Sequence, residues 1–331
     1  MSKSFKSFCN FLLSFLLGAL VLYWIYRDFD FSILGDRILL QVDWLWMALS
    51  LLFGVLGHVL RGLRQSILLK PLGQFPRRSV LIDSVYVSYA LNLVIPRLGE
   101  VSRSLVLKRY DDVPVASSLG TVVTERILDT FIVLMVTFLA VASDWPMLRD
   151  FFLETGARLP DFSHLLRTPW FYVVLFCIVG VVALAWILIA RLRFFERMKG
   201  TMSDFLSGIT SLAKSDRILL FSLETVLIWV CYFLHFYLTF FCWDFTSGLS
   251  LSAGLILFSA GTLAVIVPTP NGAGPWHFVL ITLMMRYGIS DADASGYALM
   301  VHSIQTLLVV ILGLWGFAHL SFVKKIGALA S

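Results

Sequence analysis

The sequence predicts an all-α polytopic membrane protein with about six spanning helices and two re-entrant or broken hairpins, arranged as an inverted-topology repeat. Three observations predict this fold class: the composition, the lengths of the apolar segments, and the proline and glycine residues that interrupt two of them. Of the 331 residues, 59% are hydrophobic and 14% are charged. Because a soluble domain carries about 25% charged residues, the composition excludes an ordinary globular protein. We expect residues 1–331 to form a single integral membrane domain.

Six segments are long and apolar enough to cross a bilayer, whose hydrocarbon core requires about 20 helical residues. They are residues 8–26, 44–62, 118–142, 169–190, 218–243 and 296–321. The first segment follows a basic start and ends in three aromatic residues between Tyr23 and Tyr26. This pattern is typical of an uncleaved span with an interfacial aromatic belt, and not of a secretory signal.

Two further apolar stretches, 80–96 and 251–288, are interrupted by proline and glycine. The residues that break them are Pro96, Gly99, Pro268, Pro270, Gly272 and Gly274. Non-helical backbone at membrane depth is tolerated only where protein or a water-filled cavity satisfies its polar groups. Both breaks therefore predict a cavity or a closely packed interior; a tight turn between two helices is the alternative interpretation.

Lysine and arginine indicate the orientation, because cytoplasmic loops carry an excess of both. If the N-terminus is cytoplasmic and each interrupted stretch enters and leaves on one side, 19 of the 26 Lys and Arg residues are cytoplasmic, including five in a loop at 61–78. Both termini then lie on the cytoplasmic side of a cytoplasmic membrane. A full crossing by 80–96 is the alternative, and it would place the four basic residues of 97–110 outside.

This topology gives residues 8–142 and 169–321 the same order of elements in opposite orientations. The break "LNLVIPRLGE" in the first half corresponds to "TLAVIVPTPNG" in the second. In transporters built from inverted repeats, broken segments at corresponding positions mark the binding site. We therefore expect the two breaks to form the two sides of one site.

Ionisable residues cluster around the first break and in the segment "TERILD". The candidate headgroup-binding residues are Arg97, Arg103 and Arg126, and the candidate orienting or ion-pairing residues are Glu100, Glu125 and Asp129. Charges at membrane depth are costly, face the interior and usually pair. One interpretation is a structural ion-pair network; the other is that an arginine is left to bind an anionic headgroup, since guanidinium bonds two phosphate oxygens at once.

Elsewhere the polar signals are sparse. In the second half, Glu224 lies within a span and His277 follows the glycine-rich break, so the two are candidates for a second polar site. Residues 191–217 are either an amphipathic helix on the membrane surface or a solvated loop.

There is no HExxH, G-x-S-x-G, P-loop or Cys/His cluster, so we expect no enzyme activity, metal, cofactor or nucleic-acid partner. The oligomeric state stays open.

Three blocks carry a family resemblance: "NLVIPRLGEVSR", "SSLGTVVTERILDTF" and "VIVPTPNGAGPWHF". They resemble the lysylphosphatidylglycerol synthase transmembrane-region family, also called flippase-like domain proteins. That family includes the membrane half of the multiple peptide resistance factor, which moves aminoacylated phosphatidylglycerol across the bilayer. The third block departs from the pattern, because His277 stands where the family often has a glutamate. We expect no soluble aminoacyl-transfer domain like that of the two-part members, so the resemblance implies no lysyl-transfer chemistry.

The resemblance and the residues together predict a lipid flippase or transporter-like protein. Its expected partner is an anionic phospholipid or lipid-linked intermediate, held by the arginines near the first break. Two alternatives remain: an intramembrane lipid-modifying transferase that uses the same polar residues, and a membrane scaffold without a small ligand.

Overall fold

The computed structural model of the protein describes residues 3–95, 98–147, 149 and 195–324. Within these ranges the chain forms helices and no strand, which confirms the all-α class. Four of these helical segments are long and apolar enough to cross a membrane: Trp44–Leu72, Val115–Ser143, Ile218–Cys242 and Asp291–Phe322. The expected span at 169–190 lies outside the described residues.

The first half contains five α-helices and two shorter helical turns. They are α1 (Lys3–Tyr26), a π-helix (Leu34–Leu39), α2 (Trp44–Leu69), a 3-10 turn (Lys70–Leu72), α3 (Arg78–Val94), α4 (Leu98–Asp111) and α5 (Val115–Ser143). A helix suits these segments because backbone N–H and C=O groups in lipid must bond within the segment. At the start of α2, Asp43 caps the helix by accepting a hydrogen bond from the Leu45 N–H at 2.9 Å.

The described part of the second half is also helical. Its elements are α6 (Phe195–Thr210), a 3-10 turn (Ser211–Lys214), α7 (Ile218–Tyr237), a 3-10 extension (Leu238–Cys242), α8 (Asp244–Ser247), α9 (Leu251–Ala264), a 3-10 turn (Pro270–Gly272), α10 (Pro275–Arg286) and α11 (Asp291–Phe322). Serine side chains cap α9 and α11: Ser250 accepts from the Ala253 N–H at 3.2 Å, and Ser290 from the Asp293 N–H at 3.1 Å.

Helix α2 extends farther than the sequence predicted. We expected the span to end at residue 62 and placed Arg61 and Arg64 in a cytoplasmic loop, but the helix continues to Leu69 and both arginines are buried in it. The prediction was wrong because it treated the two charges as solvated. Charged side chains that find partners inside the protein do not end a membrane helix.

The first break separates α3 from α4. Helix α3 ends at Val94, Ile95 is extended, and α4 begins at Leu98; Pro96 lies outside the described residues. Gly99 was expected at the break itself, but it belongs to the first turn of α4. Its N–H donates to Asn92 Oδ1 at 2.8 Å, and a Cβ there would overlap the Ser88 carbonyl. Gly99 therefore allows α4 to fold back closely onto α3.

The second break separates α9 from α10 by a turn with left-handed backbone. Asn271, Gly272 and Gly274 have φ values of 52°, 72° and 93°. Glycine adopts these values without the strain that a Cβ would add. The turn lies against α1 and α3. Thr269, Gly272 and Gly274 are buried there, whereas residues 265–268 and Asn271 are exposed.

Helix pairs from the two halves pack through small residues. Along the α2–α7 contact, Gly54 lies under His235 and Gly57 under Tyr232; Gly62 receives Ile82 of α3. Close backbone approach at small residues is the usual basis of helix association in membranes, where lipid is as apolar as the side chains. The α2–α7 pair thus forms the centre on which the hairpins are arranged.

Helix α6 packs against the first half of α5. Gly120 and Gly208 face each other at the crossing, and neither position has room for a Cβ without a backbone shift. Thr124 Oγ1 donates to the Ile209 carbonyl at 2.9 Å. Residues 195–210 are therefore helical, as one of the two interpretations of 191–217 predicted, and their contact with α5 lies one residue from the Glu125 carboxylate.

Replacing Gly208 by leucine is expected to separate α6 from α5 and to lower the free energy of unfolding by about 1–3 kcal/mol, the usual cost of overpacking. The measurement is thermal unfolding in detergent micelles. The matched control is Gly200→Ala in the same helix, where an added Cβ meets nothing within 4 Å. An unchanged melting temperature for Gly208→Leu would refute the close crossing.

Candidate ionic site

A buried group of charged side chains lies where α2, α4 and α5 meet. We call it the ionic cluster, and it consists of Arg61 and Arg64 from α2, Glu100 and Arg103 from α4, and Glu125, Arg126 and Asp129 from α5. All seven belong to helices, and the fold-back of α4 at the first break brings its two members against α5. The break between α3 and α4 therefore places charged side chains of α4 next to α5.

Two carboxylates form the inner part of the ionic cluster. Asp129 accepts from Arg61 Nη2 at 2.5 Å and from Arg64 Nη1 at 3.0 Å. Glu125 accepts from Arg103 Nη1 at 2.7 Å, and Arg64 Nε lies 3.5 Å from its other oxygen. These side chains are at most 6% exposed. Buried charges at this depth require partners, and each carboxylate has two.

The outer part is a single, half-exposed ion pair. Arg126 Nε lies 2.6 Å from Glu100 Oε1, and the two side chains are 41% and 40% exposed. Arg126 Nη1 is also 3.8 Å from Asp129 Oδ2, which connects this pair to the inner carboxylates. Arg126 is therefore the arginine of the ionic cluster that a molecule arriving from outside meets first.

Neutral polar and aromatic groups complete the inner surroundings. Arg61 Nη1 donates to the hydroxyls of Tyr89 at 3.0 Å and Tyr232 at 3.4 Å. Trp229 Nε1 donates to Asp129 Oδ1 at 3.4 Å, and Arg64 Nη1 donates to Thr225 Oγ1 at 3.2 Å. Helices α3 and α7 thus hold the arginines in place through these neutral hydrogen bonds.

Several guanidinium nitrogens of the ionic cluster lack a hydrogen-bond partner among the described residues. Four arginines face three carboxylates across its ion pairs, and a fourth carboxylate, Glu224 of α7, interacts electrostatically with Arg64 and Glu125. The Nε atoms of Arg61, Arg64 and Arg103 have no hydrogen-bond partner among the described residues. Unpaired donors of charged groups are costly in an interior of low dielectric, so these nitrogens favour an additional acceptor.

The structure sorts the sequence-predicted arginines into different positions. Arg103 is buried, pairs with Glu125 and donates to the Arg61 carbonyl at 3.0 Å. Arg126 is half-exposed, and Arg97 lies outside the described residues. Among the three carboxylates, Glu100 faces outward whereas Glu125 and Asp129 are buried.

Arg61 and Arg64 are the functional candidates that sequence reasoning missed. They lie three residues apart on one face of α2, and the chain after them continues as "QSILL", which is apolar enough to extend a span. If the helix had been extended past the two arginines, both would have been recognised as interior residues. They were missed because every arginine near the predicted end of a span was counted as cytoplasmic.

The two candidates for a second polar site, Glu224 and His277, have different neighbours. Glu224 is half-buried on α7 and interacts electrostatically with Arg64 and Glu125 of the ionic cluster. His277 is buried on α10, with its ring 4.6 Å from that of His302 and 5.8 Å from that of Tyr26. A second polar site that includes both residues stays a prediction.

His277 has a structural role at the start of α10. It is the third residue of the helix, and its Nδ1 accepts from the Gly274 N–H at 3.4 Å. In a capping box the third helical residue is Glu or Gln, whose side chain accepts from this same N–H. An imidazole nitrogen can replace that carboxylate oxygen, which gives a physical reason for histidine at the position where the sequence departs from the family pattern.

The second break is further held by α11. His302 Nε2 lies 3.1 Å from the Asn271 carbonyl, and the Asn271 amide donates to Thr306 Oγ1 at 2.8 Å. No group of three or more His, Cys, Asp or Glu side chains with metal-ligand geometry occurs in the described part of the chain. These contacts fix the turn through neutral hydrogen bonds.

Comparison with known proteins places these features in a family. Two UPF0104 membrane proteins are similar to the chain: that of Methanocaldococcus jannaschii is 22% identical over 302 residues, covering 84% of this chain and 85% of the relative. That of Methanothermobacter thermautotrophicus is 24% identical over 251 residues, covering 70% and 73%. A protein of Haloferax volcanii named glycosyltransferase AglD is 30% identical over 119 residues, 36% of this chain but only 18% of that protein.

No solved structure matches the chain. The family model described as the lysylphosphatidylglycerol synthase TM region matches residues 11–313. This range includes both breaks and every residue of the ionic cluster. The chain is a membrane protein that belongs to the lysylphosphatidylglycerol synthase transmembrane-region family.

Proposed function

We propose that the protein binds an anionic phospholipid or an anionic lipid-linked intermediate and translocates it across the membrane. The observation that carries this proposal is the ionic cluster, with a half-exposed arginine, Arg126, at its outer edge and with guanidinium nitrogens that lack a partner among the described residues. Charges at membrane depth most often mark a substrate or ion pathway. The lipid chains would stay in the bilayer while the headgroup phosphate enters the protein.

The chemistry of the ionic cluster suits phosphate in particular. The planar guanidinium of Arg126 can bond two phosphate oxygens, provided that Glu100 releases it. Arg61 and Arg103 lie behind it, each with an Nε that lacks a partner among the described residues. Glu125 and Asp129 would keep these arginines in orientation rather than bind the lipid themselves.

Reciprocal packing of the two halves supports an inverted-topology repeat. The first hairpin packs on the last helix of the second half: Gly313 of α11 lies against Ala90, and Asp83 is 2.6 Å from His319. The second hairpin packs on the first half, with α9 against α5 and α10 against α1. In this proposal residues 8–142 and 169–321 are the two halves, and the hairpins form opposite sides of the pathway.

The proposal places both termini on the cytoplasmic side of the cytoplasmic membrane, following the distribution of lysine and arginine. It also assigns transport rather than catalysis to the chain. The relative named as a glycosyltransferase shares only 18% of its length with this match, so its name gives little support for glycosyl transfer here. An intramembrane transferase remains the alternative that a product assay would reveal.

Translocation in proteoliposomes tests the proposed function. Lipids labelled on an acyl chain with a fluorophore report transfer to the inner leaflet by protection from an external quencher. We expect the purified protein to move labelled phosphatidylglycerol about tenfold faster than labelled phosphatidylcholine, a difference of ~1.4 kcal/mol. Equal rates for the two lipids, or no rate above protein-free vesicles, would contradict the proposal. Mass spectrometry of the recovered lipid separates transport from modification.

A further inference from the structure

A histidine in α2 lies next to the ionic cluster, and one of its ring nitrogens has no hydrogen-bond partner among the described residues. His58 is 7% exposed, and its Nδ1 makes no hydrogen bond with any described residue. A buried polar atom of this kind calls for an explanation, because most such atoms in folded proteins are paired. His58 is thus a buried titratable group that the proposed translocation has not used.

His58 shares its aromatic neighbours with Arg61. Its ring lies 4.3 Å from the ring of Tyr89 and 5.8 Å from that of Tyr232. Arg61 donates to the hydroxyls of these same two tyrosines at 3.0 and 3.4 Å. Since the two residues are three apart on one helix face, the charge on Arg61 acts on His58 at short range through a nearly dry interior.

An anion in the ionic cluster would change the field at His58. A proton on His58 would place a second positive charge next to Arg61, and this arrangement is unfavourable at low dielectric. A bound phosphate would add a negative charge to the ionic cluster. The proton and the anion then compensate each other, and each makes the binding of the other more favourable.

We infer that His58 is a proton-binding site linked to the ionic cluster, and that the protein takes up a proton on this imidazole when an anionic lipid headgroup binds. The proton comes from water and bonds to the lone pair of the free ring nitrogen, so the lipid and the proton enter together as a neutral pair. This inference rests on the proposed function, and it names H⁺ as the ion that accompanies the lipid.

The charged and titratable groups around His58 come from four helices. Tyr89 comes from α3, Tyr232 and His235 come from α7, and Arg61 is on α2 itself. Asp129 of α5 lies behind Arg61 and is already shared by two arginines. His235 is held by Ser50, through its Nδ1 at 2.8 Å from the Ser50 carbonyl. His58 is therefore the histidine of this group whose nitrogen is left open.

Calorimetry of lipid binding at several pH values tests the inference. The full-length protein in micelles is titrated with short-chain phosphatidylglycerol in buffers of different ionisation enthalpy, which gives the number of protons taken up. We expect uptake of up to one proton and an affinity that rises as the pH falls, by up to about tenfold per unit for one linked proton. His58→Phe, which keeps the ring packing, should bind the lipid with no uptake and no pH dependence.

A second histidine variant serves as the control, and the possible outcomes distinguish a failure of the inference from a failure of the proposed function. His319→Gln removes a histidine whose ring nitrogen contacts Asp83, on a different part of α3, and it should behave as the unaltered protein. Lipid binding without proton uptake, or uptake that persists in His58→Phe, overturns the inference and leaves the proposed function standing. No binding of phosphatidylglycerol above that of phosphatidylcholine overturns both.

Discussion

Replacement of Asp129 by alanine is expected to lower the free energy of unfolding by about 3–5 kcal/mol, the cost of removing one partner from a buried ion pair. Asp129 is within 3.0 Å of both Arg61 and Arg64, and its side chain is 6% exposed. Without it, Arg61 and Arg64 would both lose their shortest ion pair in the interior. The measurement is reversible unfolding in mixed micelles.

A surface carboxylate provides the control for this effect. Asp112 pairs with Lys108 at 2.5 Å, but the side chains are 74% and 51% exposed. Solvent screens such pairs, so Asp112→Asn should change stability by less than about 1 kcal/mol. If Asp129→Ala proved as mild as Asp112→Asn, the ionic cluster would have to be hydrated, and the argument from buried charge would fail.

Replacement of Arg126 by alanine is expected to slow translocation of an anionic lipid by about 10- to 100-fold, which corresponds to the loss of a charged hydrogen bond of ~1.5–3 kcal/mol. Arg126 is suited to this test because its side chain is 41% exposed. Arg103 is not, because it is buried against Glu125 and its removal would confuse loss of function with loss of fold. The assay is quencher protection in proteoliposomes.

Two variants make the Arg126 result specific. Arg126→Lys keeps the charge but loses the planar fork, so its rate should be intermediate. Lys108→Ala removes an exposed positive charge from α4 and should leave the rate unchanged within about twofold, since rim charges contribute little. A normal rate for folded Arg126→Ala would remove this arginine from the pathway.

Much of the fold followed from the sequence, because lipid imposes few solutions on a backbone. Proline and glycine in apolar segments identified both broken stretches, and the lengths of the apolar segments identified the four helices that are long and apolar enough to cross a membrane. The sequence could not show what those breaks do. The fold-back of α4 brings Glu100 and Arg103 against α5, and this contact depends on Gly99 lying flush against Ser88 of α3.

The site was only partly predictable, for an electrostatic reason. Charge counting assumes that an arginine near the end of a span is solvated, whereas Arg61 and Arg64 are compensated by carboxylates from a helix more than 50 residues later in the chain. Partners so distant in sequence cannot be assigned without the packing. His277 shows the reverse case: an apparent functional residue whose visible contact is a local helix cap.

Photo-cross-linking can locate an anionic headgroup that enters the ionic cluster beside Arg126. The probe is a phosphatidylglycerol analogue that carries a diazirine on its headgroup, and the adducts are identified by peptide mass spectrometry. We expect adducts on the exposed residues that flank Arg126 and Glu100, namely Val101, Ile127 and Thr130, and their loss in Arg126→Ala. Adducts elsewhere, or an identical pattern from the phosphatidylcholine analogue, would show that the headgroup does not bind at this arginine.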